Sequence, residues 1–489
     1  MNVPLRRVAT VVLVMFLALM VSTTYIQFVQ ADSLNNDPRN ARTIYREYNK
    51  FRGPIVVAGD AVAFSTPVDD AYGFQRSYSS GPLYAPITGF LSLTNGRTEI
   101  EDKENDFLNG EASSLWWDRL SALFTGEQPQ GASVELTIDP AAQQAAWDAL
   151  GDQRGAVVAI EPSTGRVLAL VSKPSYDPNA LATHDTALAR ETYQELLNAD
   201  GNPMSNRAIR GNTYPPGSTF KIVTSAAAIE SGQYTAESVI PAPDEFPYPQ
   251  APSNTMKNFG GSRCSPTGEM TLADALRISC NTAFANLSVT LGEDVMRQQA
   301  EDFGFDQRLE IPMDVTPSQF PAPGTDGAQP DGIARAGIGQ GEVKVTPLQM
   351  AMVAAAIAND GVQMAPYTVE TIRNPDLDVV QQNQPRRLRT SVSTSTAEQL
   401  TQMMVGVVQN GSGSAAQIPG VQVAGKTGTA ETGGEAAPHA WFTSFAPADD
   451  PQVAVAVIVE NGGSIGSEAT GGAIAAPIAR AVMEAVLNG

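Results

Sequence analysis

The sequence predicts an α+β protein carried on an N-terminal membrane anchor, and three observations predict it. An apolar run from Val8 to about Val29 follows Arg6 and Arg7. Short strand-like pieces, interrupted by Gly, Ser and Pro, occupy the stretch from Arg52 to Pro86, which suits a small, mainly β N-terminal module. Beyond about residue 131, apolar strand patterns stand at both ends of a long helical middle, so an antiparallel sheet flanked by helices buries them together. The expected division is an anchor over residues 1–30, a module over 31–130 and a large domain over 131–489.

Roughly 22 apolar residues at ~1.5 Å rise each are enough to cross the hydrocarbon layer. The arginine pair keeps the N-terminus in the cytoplasm and places everything after Gln30 outside. Val29-Gln30-Ala31 is a tolerable signal-cleavage site, but the run is long for a signal peptide, so an uncleaved single-pass anchor is expected. Only about seven residues precede the run, which leaves no cytoplasmic signalling domain.

Along the body, the polar segment Asn35 to Arg52 suits a helix, and Ile55-Val56-Val57 reads as a strand before the turn at Gly59-Asp60. Ser114 to Phe124, with Trp116 and Trp117, has the pattern of an amphipathic helix. Nothing here has catalytic spacing, so a spacer or docking role is expected. After a boundary near Gly126 to Gly131, Val134 to Ile138 alternates as a strand, and Asp139-Pro140 caps a helix to about Leu150. Gly155 to Ile160 and Arg166 to Ser172 form a hairpin around Glu161-Pro162-Ser163-Thr164-Gly165. Helical spacing follows at Ile222 to Ile229, Leu272 to Leu276, Thr282 to Thr290 and Pro347 to Asn359. Strands return at Val421 to Lys426, Ala440 to Ala446 and Val453 to Glu460, and a helix over Ala473 to Leu487 closes the chain.

Composition excludes several functions. The net charge of -21 argues against a nucleic-acid partner, which needs a basic surface to displace counterions. Two cysteines, with no C-x-x-C and no Cys/His cluster, give no metal site. With only His184 and His439 in the chain, a Ser-His-Asp triad has few candidates, so serine chemistry here needs another base. In an exported body Cys264 and Cys280 either close one short disulfide loop or remain as two buried thiols.

The chemistry is concentrated in three short elements. In Tyr214-Pro215-Pro216-Gly217-Ser218-Thr219-Phe220-Lys221 the prolines and glycine make a turn, and Ser218 and Lys221 fall three apart on one face of the helix that follows. A partly desolvated lysine there can take the serine proton. Ser279-Cys280-Asn281 lies between two helices, and Lys426-Thr427-Gly428-Thr429 at the end of an apolar strand. Each alone has an ordinary structural explanation, such as a helix cap or a strand-to-turn junction. In this order, Ser-x-x-Lys, Ser-x-Asn and Lys-Thr-Gly are the set found in penicillin-binding proteins and related β-lactamases.

With these motifs, residues from about 131 onward resemble the transpeptidase domain of a class B penicillin-binding protein. Arg52-Gly53-Pro54-Ile55 resembles the element that opens the N-terminal module of that class. Gly339-Gln340-Gly341, Val345-Thr346-Pro347 and Ala358-Asn359-Asp360-Gly361 also fit it. The resemblance implies an anchored serine D,D-transpeptidase with D,D-carboxypeptidase side activity, needing no cofactor. It would be acylated by peptidoglycan stem peptides ending in D-Ala-D-Ala and by β-lactams. It implies Ser218 as nucleophile, Lys221 as base, Ser279 as proton relay and Asn281 as the residue positioning Lys221 and substrate. Lys426, Thr427 and Thr429 would grip the substrate carboxylate, with Gly428 letting the backbone approach. The backbone N–H groups of Ser218 and Thr429 would form the oxyanion hole. Glu195-Leu196-Leu197-Asn198 resembles the deacylating glutamate motif of class A β-lactamases but precedes Ser218, so slow hydrolysis and a long-lived acyl-enzyme are expected. His439 reads as a surface or gate residue. A glycosyltransferase or division protein is the partner this class suggests; a β-lactam sensor and a non-catalytic division scaffold are the alternative functions.

Overall fold

A computed structural model describes residues 2–30, 34, 48–116, 130–211, 213–432 and 436–489. The expected helices over Asn35 to Arg52 and Ser114 to Phe124, and the boundary near Gly126, fall largely outside the described residues. The N-terminal helix α1 (Asn2–Thr24) continues through one π-turn to Val29. Val3–Val29 is long and apolar enough to cross a membrane, and its most apolar stretch is not buried against the rest of the described chain, so its apolar surface suits a membrane.

In chain order the body contains β1 (Ile55–Val57), β2 (Asp60–Pro67), β3 (Phe74–Tyr78), α2 (Gly81–Thr88) and β4 (Ser133–Leu136). Then come α3 (Pro140–Leu150), β5 (Gly155–Ile160), β6 (Val167–Lys173), α4 (Thr186–Asn198) and α5 (Lys221–Glu230). The short strands β7 (Glu245–Pro247) and β8 (Thr255–Lys257) precede α6 (Leu272–Arg277), α7 (Asn281–Leu291) and α8 (Pro347–Ala358). β9 (Val369–Arg373), β10 (Val379–Gln382), α9 (Thr394–Asn410), β11 (Ala424–Ala430), β12 (His439–Ala446), β13 (Val453–Val459) and α10 (Ala476–Asn488) complete the chain.

Five antiparallel strands in the order β11-β12-β13-β5-β6 form the central sheet. Every residue of β5, β6 and β13 is buried, as continuous apolar runs covered on both faces require. On one face Ala156, Val158, Trp441 and Ala456 join the core that contains α5 and α8. On the other, Val157, Phe442 and Val455 pack with Ala142 and Ala146 of α3 and Val482 of α10. Helix α8 is apolar all round and almost wholly buried, and Thr443 of β12 donates to its Met350 carbonyl at 3.0 Å. Asp139 caps α3 by accepting from the N–H groups of Ala141 and Ala142, as its sequence predicts.

The second sheet runs β10-β9-β4-β1-β2-β3, so strands from the far part of the chain pair with those of the N-terminal module. Only the β1–β4 pair in it is parallel. Within the strand-like stretch expected up to Pro86, Gly81–Thr88 instead forms α2. Pro82 sits in its first turn, where no N–H is needed, and burial of Leu83, Tyr84 and Ile87 outweighs the turn-forming composition.

Arg52 and Arg76 converge on the wholly buried Glu101, each donating from Nε at 2.7 Å. Tyr78 donates to the same carboxylate at 3.2 Å, and Arg52 also reaches Asn105 Oδ1 at 2.9 Å. Gly53 is pressed against the next strand, where a Cβ would lie 1.9 Å from the Ala132 carbonyl oxygen. Burial raises the Glu101 pKa, but Arg76 and Arg52 outweigh it and hold the carboxyl below its usual range. Its contribution is therefore present above the pKa of an unfolded glutamate and is lost as pH falls through the folded value. Glu101→Gln leaves two buried guanidiniums without their counter-charge and is expected to lower stability by about 3 kcal/mol. Urea unfolding of the detergent-solubilised chain at neutral and acid pH checks this, and the deficit should shrink in acid.

Candidate active site

The prolines at 215 and 216 end the preceding extended segment, and a 3₁₀ turn, Gly217–Phe220, leads into α5. Gly217 has φ 54°, and a Cβ there would come 2.7 Å from the Thr429 carbonyl oxygen, so the turn lies directly against β11. It is held from several sides. The Gly217 N–H donates to Gly339 O at 2.9 Å, Trp441 Nε1 donates to Pro215 O at 3.0 Å, and Tyr214 pairs with Val345. A Cβ on Gly339 would stand 2.0 Å from Gly217 O, which explains the glycine of the Gly339-Gln340-Gly341 element. Ser218 is half-buried in this turn, and Lys221 opens α5 fully buried.

Lys221 Nζ donates to Asn281 Oδ1 at 2.7 Å, to Ser279 O at 2.7 Å and to Ser279 Oγ at 3.2 Å. From the other side Lys426 Nζ donates to the same Ser279 Oγ at 2.8 Å. One hydroxyl thus bridges two buried amines. Burial, and then the neighbouring Lys426, push the Lys221 amine well below its ordinary value, and burial pulls Lys426 down to about 7. Lys221 hydrogen-bonds to Ser279 and Asn281 rather than to Ser218, so in this state the amine is oriented by the second motif.

Ser279 sits between α6 and α7 with φ 63°, a left-handed conformation that side chains rarely adopt. Its N–H and that of Cys280 return to Leu276 O and Ala275 O at 3.1 and 2.9 Å, which ends α6 and aims the hydroxyl at the lysines. A disulfide joins Cys280 to Cys264, so the central residue of the Ser-x-Asn element is covalently tied.

Lys426-Thr427-Gly428-Thr429 lies inside β11, not at the end of a strand. The strand starts only at Ala424, because Ile418 and Val421 are engaged in a tight turn and pairing with β12 begins at the Ala424–Phe445 pair. β11 is an edge strand of the sheet, and of its residues only Thr429 is not buried. A Cβ on Gly428 would meet Pro216 O at 2.8 Å and Trp441 Cβ at 2.9 Å, so only glycine fits between turn and strand. Thr427 Oγ1 shares a 2.6 Å hydrogen bond with Ser412 Oγ, a neighbour that no local pattern announces. Thr429 is half-buried on the same strand.

The structure therefore brings Ser218, Lys221, Ser279, Asn281 and the 426–429 strand together, with Cys264 and Cys280 alongside. Glu195 is exposed on α4. His439 is half-buried, accepts from the Asn461 N–H at 3.0 Å and packs edge-on against Tyr214. No group of His, Cys, Asp and Glu suited to a metal occurs among the described residues.

Two desolvated lysines bridged by one serine hydroxyl, with the Ser218 turn packed on the edge strand of an antiparallel sheet covered by helices, define a serine acyl-transfer enzyme of the penicillin-recognising kind. Residues 155–484 match the penicillin binding protein transpeptidase domain, and residues 52–134 match the penicillin binding protein A dimerisation domain; the chain belongs to the penicillin-binding protein transpeptidase family. It is 45% identical to the peptidoglycan D,D-transpeptidase PbpA of Mycolicibacterium smegmatis, covering 100% of this chain and 99% of that one. It is 44% identical to the protein of the same name from Mycobacterium tuberculosis H37Rv, covering 100% of both. The ceftriaxone acyl-enzyme of M. tuberculosis penicillin-binding protein A superposes with TM-score 0.87 at 42% identity, over 91% of this chain and 100% of that one. The imipenem acyl-enzyme gives 0.85 at 42% identity, over 90% and 100%.

The Cys264–Cys280 bond closes a sequence separation of 16 residues. Replacing both cysteines by alanine is expected to lower stability by ~3 kcal/mol in the chain-entropy model, read as a drop in Tm of the detergent-solubilised chain.

Proposed function

We propose that this chain is an anchored serine D,D-transpeptidase that cross-links peptidoglycan and is acylated by β-lactams. The observation that carries the proposal is the bridging by Ser279 of two buried lysines, Lys221 on the helix that the Ser218 turn leads into and Lys426 on the edge strand β11. The Ser218 hydroxyl attacks the carbonyl between two D-alanines of a stem peptide while the neutral Lys221 amine takes its proton. The N–H groups of Ser218 and Thr429, on turn and strand packed against each other, receive the oxyanion. The proton passes through Ser279 to the leaving amine, D-alanine departs, and an acyl-enzyme remains. The amine of a neighbouring stem then attacks the ester and regenerates Ser218.

Lys426, with Thr427 and Thr429, holds the substrate's terminal carboxylate through charge-assisted bonds. The stem peptide lies along β11 as an added strand, using the backbone groups that an edge leaves unpaired. Glu195 lies on the exposed surface of α4, so no glutamate of that motif serves deacylation, and hydrolysis stays slow.

The Arg6-Arg7 pair orients the anchor with its N-terminus inside, which places the site on the extracytoplasmic side of the cell membrane. Residues 31–130 serve as a spacer and docking module, including for a glycosyltransferase or division partner, and 131–489 carry the reaction.

Fluorescent penicillin should label the wild-type chain and leave Ser218→Ala unlabelled; persistent labelling of that variant would sink the serine assignment. Lys221→Ala should slow acylation by about 10²–10⁴-fold. Release of D-alanine from a stem-peptide donor separates an enzyme from a scaffold that merely retains the site. The base must be neutral, so acylation rises with pH through the depressed pKa of Lys221. Lys426 must stay charged to hold the carboxylate, so the rate falls again as it deprotonates. A bell-shaped profile with its optimum near neutrality, rather than in the range of an ordinary lysine, is the expected result of acylation kinetics between about pH 5 and 10.

A further inference from the structure

Helix α7 begins at Asn281 with a cap residue, Cys280, whose sulfur is tied in the disulfide and whose side chain makes no cap hydrogen bond. The first N–H groups of a helix have no partner within it and need an acceptor from elsewhere. That acceptor comes from a different element. Asn258, buried at 6% exposure just after β8, receives the N–H of Asn281 at 2.9 Å and of Thr282 at 3.1 Å on its Oδ1. Its Nδ2 donates to Thr282 Oγ1 at 3.3 Å. Two backbone donors converge on one end of the amide, which fixes that end as the oxygen. The neighbouring Lys257 carbonyl accepts from Asn281 Nδ2 at 3.5 Å.

We infer that Asn258 is a positioning residue for acyl transfer: it caps α7 in trans and thereby sets where Ser279 and Asn281 stand relative to Lys221. The inference rests on the acylation reading proposed above and assigns that site a further support. A disulfide limits how far Cys280 can travel, but rotation about its side-chain bonds leaves the direction of the following N–H groups free; Asn258 fixes that direction. The left-handed Ser279 must be held by its surroundings. On the α6 side the Leu276 and Ala275 carbonyls hold the junction, and on the α7 side Asn258 does. Because Lys221 donates to Ser279 and to Asn281, a shift of the junction displaces the base as well as its relay. Displacements of about 1 Å at a reacting site cost about 10²-fold in rate.

The test is stopped-flow acylation of the full-length, detergent-solubilised chain by a fluorescent penicillin, separating the limiting rate from the half-saturating concentration. Asn258→Ala should lose about tenfold or more in limiting rate while half-saturation changes less than about threefold, because Lys426, although it touches Ser279, is carried by β11 and also held there by the Thr427 carbonyl at 3.0 Å. Labelling should still run to completion, whereas a mere folding defect would lower its final extent. Asn258→Asp, which keeps the acceptor, should stay within about threefold of wild type. Asn258→Ala combined with Asn281→Ala should fall at most about threefold below Asn281→Ala alone, since the two act as one unit. If the alanine variant does not fold, Asn258→Ser, whose short hydroxyl cannot reach both N–H groups, carries the same expectation. An alanine or serine variant that acylates within about threefold of wild type overturns the inference. So does an aspartate variant as slow as either of them, or losses that multiply in full in the double variant. Should these occur while wild type is labelled at Ser218, the acylation reading stands without this support; an unlabelled wild type removes both.

Discussion

The site depends on one unfavourable arrangement: two lysine amines buried beside each other with a single hydroxyl between them. In water both would be charged at neutral pH, and neither would act as a base. Desolvation disfavours the charge on each, and for Lys221 the neighbouring Lys426 adds to it. Such a pair persists only where the surrounding structure is rigid enough to hold it. Here the walls are α5, the strained junction between α6 and α7, and β11, each fixed by contacts remote in sequence.

The central sheet supplies that rigidity. Its interior strands are buried on both faces, so position and register are set by packing, while β11 at the edge pairs with β12 alone. The Ser218 turn is then wedged between that edge and the Gly339 loop, with glycines at each point where backbone meets backbone. The N-terminal module is joined to this body through a shared sheet in which β4 and β9 connect the two. The buried Arg52–Glu101–Arg76 cluster locks that module's own strands and helices together. Among the described residues, none of the hydrogen-bonding groups of the Ser218 site comes from it.

Much of this was legible locally. The hairpin of β5 and β6, the cap at Asp139, the apolar helix α8 and the buried run of β13 each carry their own periodicity or turn chemistry, and the structure places them where those patterns do. The failures have physical causes. Gly81–Thr88 has a turn-like composition, and only the burial of its apolar side chains makes it helical. The start of β11 depends on where β12 begins to pair, which no residue of β11 encodes. Ser412 and Asn258 are ordinary residues whose neighbours are contributed by distant segments.

By itself, then, the sequence determined most of the elements, the apolar N-terminal run and the three short motifs, because periodicity, capping and turn chemistry act between near neighbours. It placed Ser218 and Lys221 on one helical turn for the same reason. Only the tertiary structure decided that Lys426 would share a hydroxyl with Lys221 and that the Ser-x-Asn element would bend through a left-handed serine. It likewise decided that a lysine would lose its usual proton affinity. Those outcomes arise from burial and from contacts across about sixty to two hundred residues of chain, where desolvation rather than local propensity sets the chemistry.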